Sequence, residues 1–383
     1  MKVFLIAGEA SGDALGAALM AGLAELAPGL RFSGVGGPLM AGQGLVSLFP
    51  MEELSVMGLA EVLPKYVALK RRIGETAAAI ADVAPDVVVT IDSPDFCLRV
   101  LKIAKRLNPS LKTIHYVAPS VWAWRPGRAV SMARVVDHVL ALLPFEPPYM
   151  QAAGMSCDFV GHPVTTQPVA TPAEAAAFRA AHGIAPDAPL LLVLPGSRRG
   201  EIERLGPVFA ATLRQLARPG LRVVVPTIAA RAAQMQALIA DWPGQPVLLD
   251  AATTPAAQKR AAFRAADAAL AASGTVSLEL AAAGTPMVIA YRMHPVSQAL
   301  IARLLRIDTV TLVNLVSETR AVPEFLGPRC DPAAIAPAVA ALLAPGPARD
   351  AQLSAMTLTM DRLGRGGEAP GLRAARSVLA ALT

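Results

Sequence analysis

The sequence predicts an α/β protein built from two doubly wound, Rossmann-like domains facing one cleft. Three observations carry that expectation. Two strand–turn–helix signals stand about one domain apart, at residues 3–13 (VFLIAGEASGD) and 190–201 (LLLVLPGSRRGE). Apolar runs of strand length recur through both halves, and runs of Val, Ile and Leu without polar alternation mark parallel strands buried on both faces. At 383 residues the chain is too long for one ordinary α/β domain.

The elements follow in order. Strand runs lie at 3–7, 31–35, 86–91, 112–118, 138–143 and 157–160, with helical patterns at 13–27 and 97–107 between them. Residues 163–173 (PVTTQPVATPA) lack periodicity and read as a linker, which divides the chain into 1–165 and 174–383. Strand runs resume at 190–194, 221–225, 247–249, 268–272 and 287–291. The tail opens as GEAPG at 367 and turns helical through Leu372, Val378, Leu379 and Leu382. That helix is expected to pack back on the first domain or on a partner subunit.

Composition narrows the function classes. Aromatic residues make up only 4% of the chain, which argues against a stacking surface for single-stranded nucleic acid. The net charge of +6 favours anionic partners such as phosphate esters or acidic lipid. Cys97, Cys157 and Cys330 form neither zinc spacing nor a disulfide framework, so a reducing cytoplasm is expected. A strand at the N-terminus leaves no room for a signal peptide, and no apolar stretch reaches the ~18 residues of a membrane span. A membrane role would therefore be peripheral.

Several strand ends carry candidate chemistry. In GEASGD the glycines let a ligand approach the backbone, and Ser11 or Asp13 suits a helix cap. The spacing matches neither a dinucleotide fingerprint nor a P-loop. A well-capped turn with Glu9 solvated is the plain alternative. Asp92, in IDSPDF, ends a strand and points toward the crevice where α/β proteins bind ligands, a place for a general base. Asp95 fits a helix cap better. In HYVAPSVWAWR, Trp122 and Trp124 beside Arg125 can wall a sugar or acyl site, or simply pack. His115 alone reads as a satisfied buried histidine.

Residues 195–199 (PGSRR) read as a diphosphate clamp, because guanidinium forks match phosphate oxygens. Ser273, Gly274 and Thr275 repeat the turn without arginine, and Glu279 one turn on can accept bonds from a ribose diol. Residues 52–74 place Val62, Tyr66, Leu69 and Ile73 on one helical face, with Lys65, Lys70, Arg71 and Arg72 around it and Val56, Met57 and Leu59 ahead of it. Such a helix can lie on an anionic membrane or pack its apolar face on the core. The chain contains no Asp-x-Asp pair, which argues against a carboxylate clamp for a metal–nucleotide complex.

These segments together resemble the lipid-A-disaccharide synthases, glycosyltransferases of the two-domain GT-B type. The resemblance rests on GEASGD, MEELSVMGLAEVLP, IDSPDF, KTIHYVAPSVWAWR, LPFE, FVGHP, LPGSRRGEI, ASGTVSLE, PMVIAYRM and VNLV, in that order to about Phe325. It diverges in the linker and after about residue 326. It implies transfer of 2,3-diacylglucosamine from UDP to the 6-hydroxyl of 2,3-diacylglucosamine 1-phosphate, with inversion and release of UDP. It implies UDP contacts at Gly196, Ser197, Arg198, Ser273, Gly274, Thr275, Glu279, Tyr291 and Asn314.

On the acceptor side the resemblance implies Asp92 as base, with Glu9 the next candidate, and Ser11, Gly12, Asp13, Ser120 and Trp122 around the acceptor. No cofactor, metal or nucleic acid is expected. The 56–72 region gains a purpose as a docking surface at the inner face of the inner membrane, and a homodimer is one arrangement left open. A UDP-sugar 2-epimerase of the same architecture and a non-catalytic peripheral lipid-binding module are the alternatives.

Overall fold

A six-stranded sheet, parallel throughout, forms the centre of each half of the computed structural model, which describes residues 1–54, 59–216, 218–293 and 304–382, with backbone alone for 59–66. The chain divides into two units, Met1–Thr166 together with Gly366–Thr383, and Gln167–Arg365.

In the first unit β1 (Lys2–Ala7), β2 (Arg31–Val35), β3 (Val87–Ile91), β4 (Lys112–Tyr116), β5 (His138–Ala141) and β6 (Ser156–Phe159) lie in the order β2-β1-β3-β4-β5-β6. The helices are α1 (Ala10–Leu26), α2 (Pro38–Ala41), α3 (Leu59–Val83), α4 (Pro94–Leu107), α5 (Gly127–Met132) and α6 (Pro147–Gln151). Strand side chains alternate between faces. Phe4, Ile6 and Val88 enter one core with Ile73, Ile80, Val100 and Leu101 of α3 and α4. Val3, Leu5, Val89 and Ile91 enter the other with Leu15, Leu19 and Leu23 of α1. Strand order reverses between β1 and β3, so the loops after these two strands flank the topological switch point.

The second unit holds β7 (Leu190–Leu194), β8 (Arg222–Thr227), β9 (Val247–Asp250), β10 (Ala268–Ala272), β11 (Met287–Tyr291) and β12 (Glu324–Leu326), ordered β12-β11-β10-β7-β8-β9. Its helices include α7 (Pro172–Ala181), α8 (Arg199–Leu216), α9 (Ala232–Ile239), α10 (Ala256–Ala265) and α11 (Val276–Ala283). Here the order reverses between β7 and β10. No strand signal marks β12 in the sequence, because it is an edge strand of three half-buried residues in which Phe325 alone packs on the core. Part of the expected linker is a helix start: Thr171 Oγ1 accepts from the Glu174 amide and the Glu174 carboxylate accepts from the Thr171 amide, a capping box that opens α7.

The C-terminal helix Pro370–Ala380 packs on α1 in the first unit. Glycines set the approach: a Cβ on Gly22 would stand 2.8 Å from the Gly371 carbonyl and 3.0 Å from Ala375 Cβ. Ala374, Ala375 and Val378 are fully buried there. Ser377 Oγ donates to Asp158 (2.7 Å) and lies 2.8 Å from His138 Nε2, tying the helix to β5 and β6.

Helix α3 corrects part of the docking face drawn from sequence. Leu69 is half-buried against the α3–α4 core. Arg72 is not a free charge, because it pairs with Glu53 and Glu75 (2.7 Å each) and lies 4.4 Å over the Phe49 ring. Lys70 and Arg71 are exposed, and so is Val67 at 78%, one turn earlier on the same face. Val56 and Met57 lie outside the described residues, as do the side chains of Leu59, Val62 and Tyr66. Among the described residues no helix is long and apolar enough to cross a membrane.

Candidate active site

In the first unit the carboxyl ends of β1, β3 and β4 meet. The Asp92 amide donates to the Tyr116 carbonyl, and the Val117 amide to the Leu140 carbonyl. Backbone strain gathers at this edge: φ is +52° at Asp92, +43° at Ser93 and +83° at Val117. L-residues enter that region reluctantly, a β-branched valine most of all, and such outliers cluster at functional sites. Ser93 begins α4 in the left-handed region, and its amide donates to Asp92 Oδ1 (2.9 Å). The half-buried Asp92 carboxylate is thus fixed at the switch point. Gly8 is the fit between this turn and GEASGD, since a Cβ on it would lie 2.6 Å from Ser93 Oγ.

The GEASGD turn is not capped as expected. Glu9 takes the N-cap position of α1 without a side-chain cap bond, and Ser11 is exposed. Gly12 is buried, its Cα facing Ala7 and the Ile91 carbonyl. Asp13 does not reach toward an acceptor. It is 2% exposed, and its carboxylate accepts from the amides of Gly37 (2.9 Å), Leu39 (2.9 Å) and Met40 (3.0 Å), so it caps α2. Asp95 is likewise no cap; it is exposed and pairs with Arg128 at 3.1 Å.

The loop after β4 leaves Ser120 exposed and Trp122 half-buried. Trp122 meets Phe145 edge-on, with centroids 5.1 Å apart, and its indole Nε1 donates to Glu146 at 3.3 Å. Glu146, 4% exposed, also accepts from the Leu143 amide at 3.0 Å. Burial raises its pKa to about 7, against the pull of these hydrogen bonds. The segment LPFE gives no sign of burial, so sequence reasoning missed this acid. Arg125 stacks on Trp124 at 4.4 Å. His115 is 1% exposed, with Nδ1 2.8 Å from Thr90 Oγ1 and Nε2 buried without a partner among the described residues. Burial, then Arg128, lowers its pKa to about 4, so the imidazole is neutral.

The second unit has two turns at its switch point. After β7, Gly196 adopts φ +110°, and Ser197 and Arg198 follow, both exposed. Glu201, absent from the residues singled out in the sequence, folds back onto this turn. Its Oε2 accepts from the amides of Ser197 and Arg198 (3.3 Å each), and its Oε1 from Arg198 Nη1 (3.1 Å) and the Tyr291 hydroxyl (3.4 Å). Arg199 turns away to Glu203 at 2.7 Å. After β10, Ser273, Gly274 and Thr275 lead into α11 with no side-chain cap bond, and Gly274 and Thr275 are exposed.

Glu279 pairs with Lys259 at 2.7 Å and lines a pocket of about 290 Å³ with Phe263, Arg260 and Gln167. Asn314 departs from the expected UDP contacts. It is 1% exposed, its amide nitrogen donates to Thr309 Oγ1 and the Val322 carbonyl, and its oxygen accepts from the Val322 amide. The side chain shapes its own loop.

Comparison with known proteins shows the family and the fold. The profile of the family described as lipid-A-disaccharide synthetase matches residues 3–365. A lipid-A-disaccharide synthase of Ruegeria pomeroyi is 63% identical over 385 aligned residues, 99% of this chain and 95% of the relative. One of Rhodospirillum centenum is 51% identical, over 100% of this chain and 95% of the relative. Among solved structures, Acinetobacter baumannii MurG aligns with TM-score 0.58 at 15% identity, covering 100% of this chain and 98% of that one. The UDP-GlcNAc 2-epimerase of Methanocaldococcus jannaschii, solved with UDP-GlcNAc and UDP, aligns with TM-score 0.62 at 13% identity, covering 99% of both chains. At such identities these two speak for the GT-B fold alone.

Proposed function

The chain belongs to the lipid-A-disaccharide synthase family, and from that premise we propose how its own residues divide the work. It is a glycosyltransferase that forms the lipid A disaccharide from a UDP-sugar and a lipid acceptor. In the proposed scheme the acceptor, 2,3-diacylglucosamine 1-phosphate, is held by the first unit, and UDP-2,3-diacylglucosamine by the second. Asp92 takes the proton of the acceptor 6-hydroxyl as that oxygen attacks the anomeric carbon of the donor. The bond from that carbon to UDP breaks from the opposite side, which gives the β(1→6) linkage with inversion. Arg198 and the open turn at Gly274 and Thr275 receive the charge that develops on the diphosphate. Glu9, Ser11, Ser120 and Trp122 surround the acceptor, and Glu279 meets the ribose once it leaves Lys259.

The observation that carries this reading is the strained Asp92–Ser93 turn at the switch point of the first sheet, in register with the Gly8 loop. A general base typically supplies about 10²–10⁴ in rate. Asp92→Asn should therefore nearly abolish product lipid in a mass spectrum while UDP binding persists. A variant that keeps more than half its activity removes Asp92 from the scheme. Product that forms from the donor only when acceptor is present separates transfer from epimerisation and from passive lipid binding.

The enzyme is further proposed to work at the inner face of the inner membrane, where its acylated substrates reside. Val67, Lys70 and Arg71 present one apolar and two basic side chains on one turn of α3. Basic residues near an anionic surface contribute about 1 kcal/mol each. Val67→Ser with Lys70→Ser and Arg71→Ser should lower binding to anionic vesicles and leave the fold intact. Unchanged vesicle binding would return this face to ordinary surface.

A further inference from the structure

We propose that Glu201 is a positioning residue for the transfer: from the first turn of α8 it holds the Arg198 guanidinium, so that the arginine side chain meets the diphosphate there in a fixed orientation. The inference rests on the reading of Arg198 as a diphosphate contact.

The geometry is specific. Glu201 is 7% exposed, whereas the Arg198 side chain is 63% exposed. One carboxylate oxygen is spent on Arg198 Nη1 and the Tyr291 hydroxyl, the other on the amides of Ser197 and Arg198. The carboxylate thus ties the two residues that lead into α8 to its first turn. A guanidinium has five N–H donors in a rigid fork, so anchoring one edge leaves others pointing to solvent and fixes their direction.

Two further features belong to the same arrangement. Gly196 is required twice, by its φ of +110° and because a Cβ there would stand 2.5 Å from Glu201 Oε2. Burial and the Glu201 carboxylate both push the Tyr291 phenol upward, which keeps it a neutral donor. The turn before α11 differs: Gly274 and Thr275 are exposed and no side chain caps them. The two switch-point turns thus differ in their side chains: a carboxylate steers an arginine at one, and no side chain caps the other.

The test measures the UDP dissociation constant by calorimetry, with donor KM and kcat, for Glu201→Gln, Tyr291→Phe, Arg198→Ala and the double variant Arg198→Ala/Glu201→Gln. Glu201→Gln is close to isosteric and should melt near the parent temperature. It should weaken UDP roughly tenfold, the scale of one shielded charge-assisted bond, and raise donor KM more than it lowers kcat. Tyr291→Phe should weaken UDP less. The double variant should bind no worse than Arg198→Ala alone, because Glu201 acts through that arginine.

Glu201→Gln that binds UDP as tightly as the parent, or more tightly, would make the carboxylate a competing anion and overturn the proposal. Additive losses in the double variant would also overturn it. If Arg198→Ala leaves UDP affinity unchanged, the diphosphate reading itself falls. Weakened binding by Glu201→Gln in that case would show that the glutamate acts by another route.

Discussion

Gly8→Ala tests the contact between the two loops at the first switch point. The added Cβ would meet Ser93 Oγ at 2.6 Å and Ser93 Cβ at 3.0 Å. Rotation about χ1 can carry Ser93 Oγ away, but Ser93 Cβ at 3.0 Å cannot rotate out of reach, so the Asp92–Ser93 turn must give by roughly half an ångström toward a comfortable ~3.5 Å. Overpacking of this size costs about 1–3 kcal/mol of stability. A 1 Å misplacement of a catalytic group can cost about 10²-fold in rate, so activity should fall more steeply than stability. Ser93→Gly removes both offending atoms, and the next contact for the new methyl is Leu54 Cβ at an ordinary 3.5 Å. Ser93 also sits at φ +43°, where glycine is unstrained. Gly8→Ala/Ser93→Gly should therefore recover activity to within a few fold of Ser93→Gly alone. Disaccharide formation and urea unfolding would be measured on all three variants. Full activity in Gly8→Ala refutes the steric argument. An active Ser93→Gly that fails to rescue Gly8→Ala refutes it too, and moves the requirement to the approach of the ligand itself.

Further expectations follow from the buried ionisable groups. His115 has a folded pKa near 4 against 6.5 for a solvated histidine, so its contribution is fully present above pH 6.5 and is lost as pH falls toward 4, at up to ~1.4 kcal/mol per pH unit and roughly 3 kcal/mol in all. His115→Asn keeps a donor for Thr90 and removes that slope; equal acid lability of parent and variant, followed by urea titration of Trp122 and Trp124 fluorescence, would contradict it. Glu146 shifts the other way, from 4.5 to about 7, so it destabilises the fold as pH rises through that interval. Glu146→Gln should be more stable relative to the parent at pH 8 than at pH 5, and a difference independent of pH would exclude the buried carboxyl as its cause. Transfer should survive EDTA, since the sequence holds no Asp-x-Asp pair to clamp a metal–nucleotide complex; loss of activity restored by magnesium would reverse that expectation.

The sites legible in the sequence are those where a strand stops at small residues. GEASGD, IDSPD, PGSRR and SGT each stand after an apolar run, and each falls beside a reversal of strand order. What could not be read is where each side chain goes next. Asp13 and Glu201 both stand in the first turn of a helix and look alike in the chain. Asp13 leaves its own helix to cap α2, whose amides lie 24 to 27 residues on. Glu201 folds onto the turn three and four residues before it. Only the tertiary position of free amides distinguishes them. Asn314 was illegible for the same reason: nothing in the VNLV motif shows that its amide bonds Val322 and Thr309. Leu69 belongs to a helix that is amphipathic from both points of view, and burial against the core that holds Ile73 decides the face.

The two units fix their polar groups by different physical means. At Asp92 the backbone itself is held in a sparsely populated conformation, a local strain of order 1–3 kcal/mol per residue that the surrounding sheet must sustain. At Arg198 a buried carboxylate, itself bonded by a phenol, holds the side chain. A base must keep one orientation against a hydroxyl that arrives with no charge to guide it, so rigidity in the main chain suits it. An arginine proposed to meet a diphosphate is drawn in by charge, and one guanidinium edge anchored on a carboxylate leaves its other N–H groups directed outward. In the proposed scheme the preorganisation that transition-state stabilisation demands is stored as conformational strain at one turn and as paired charge at the other.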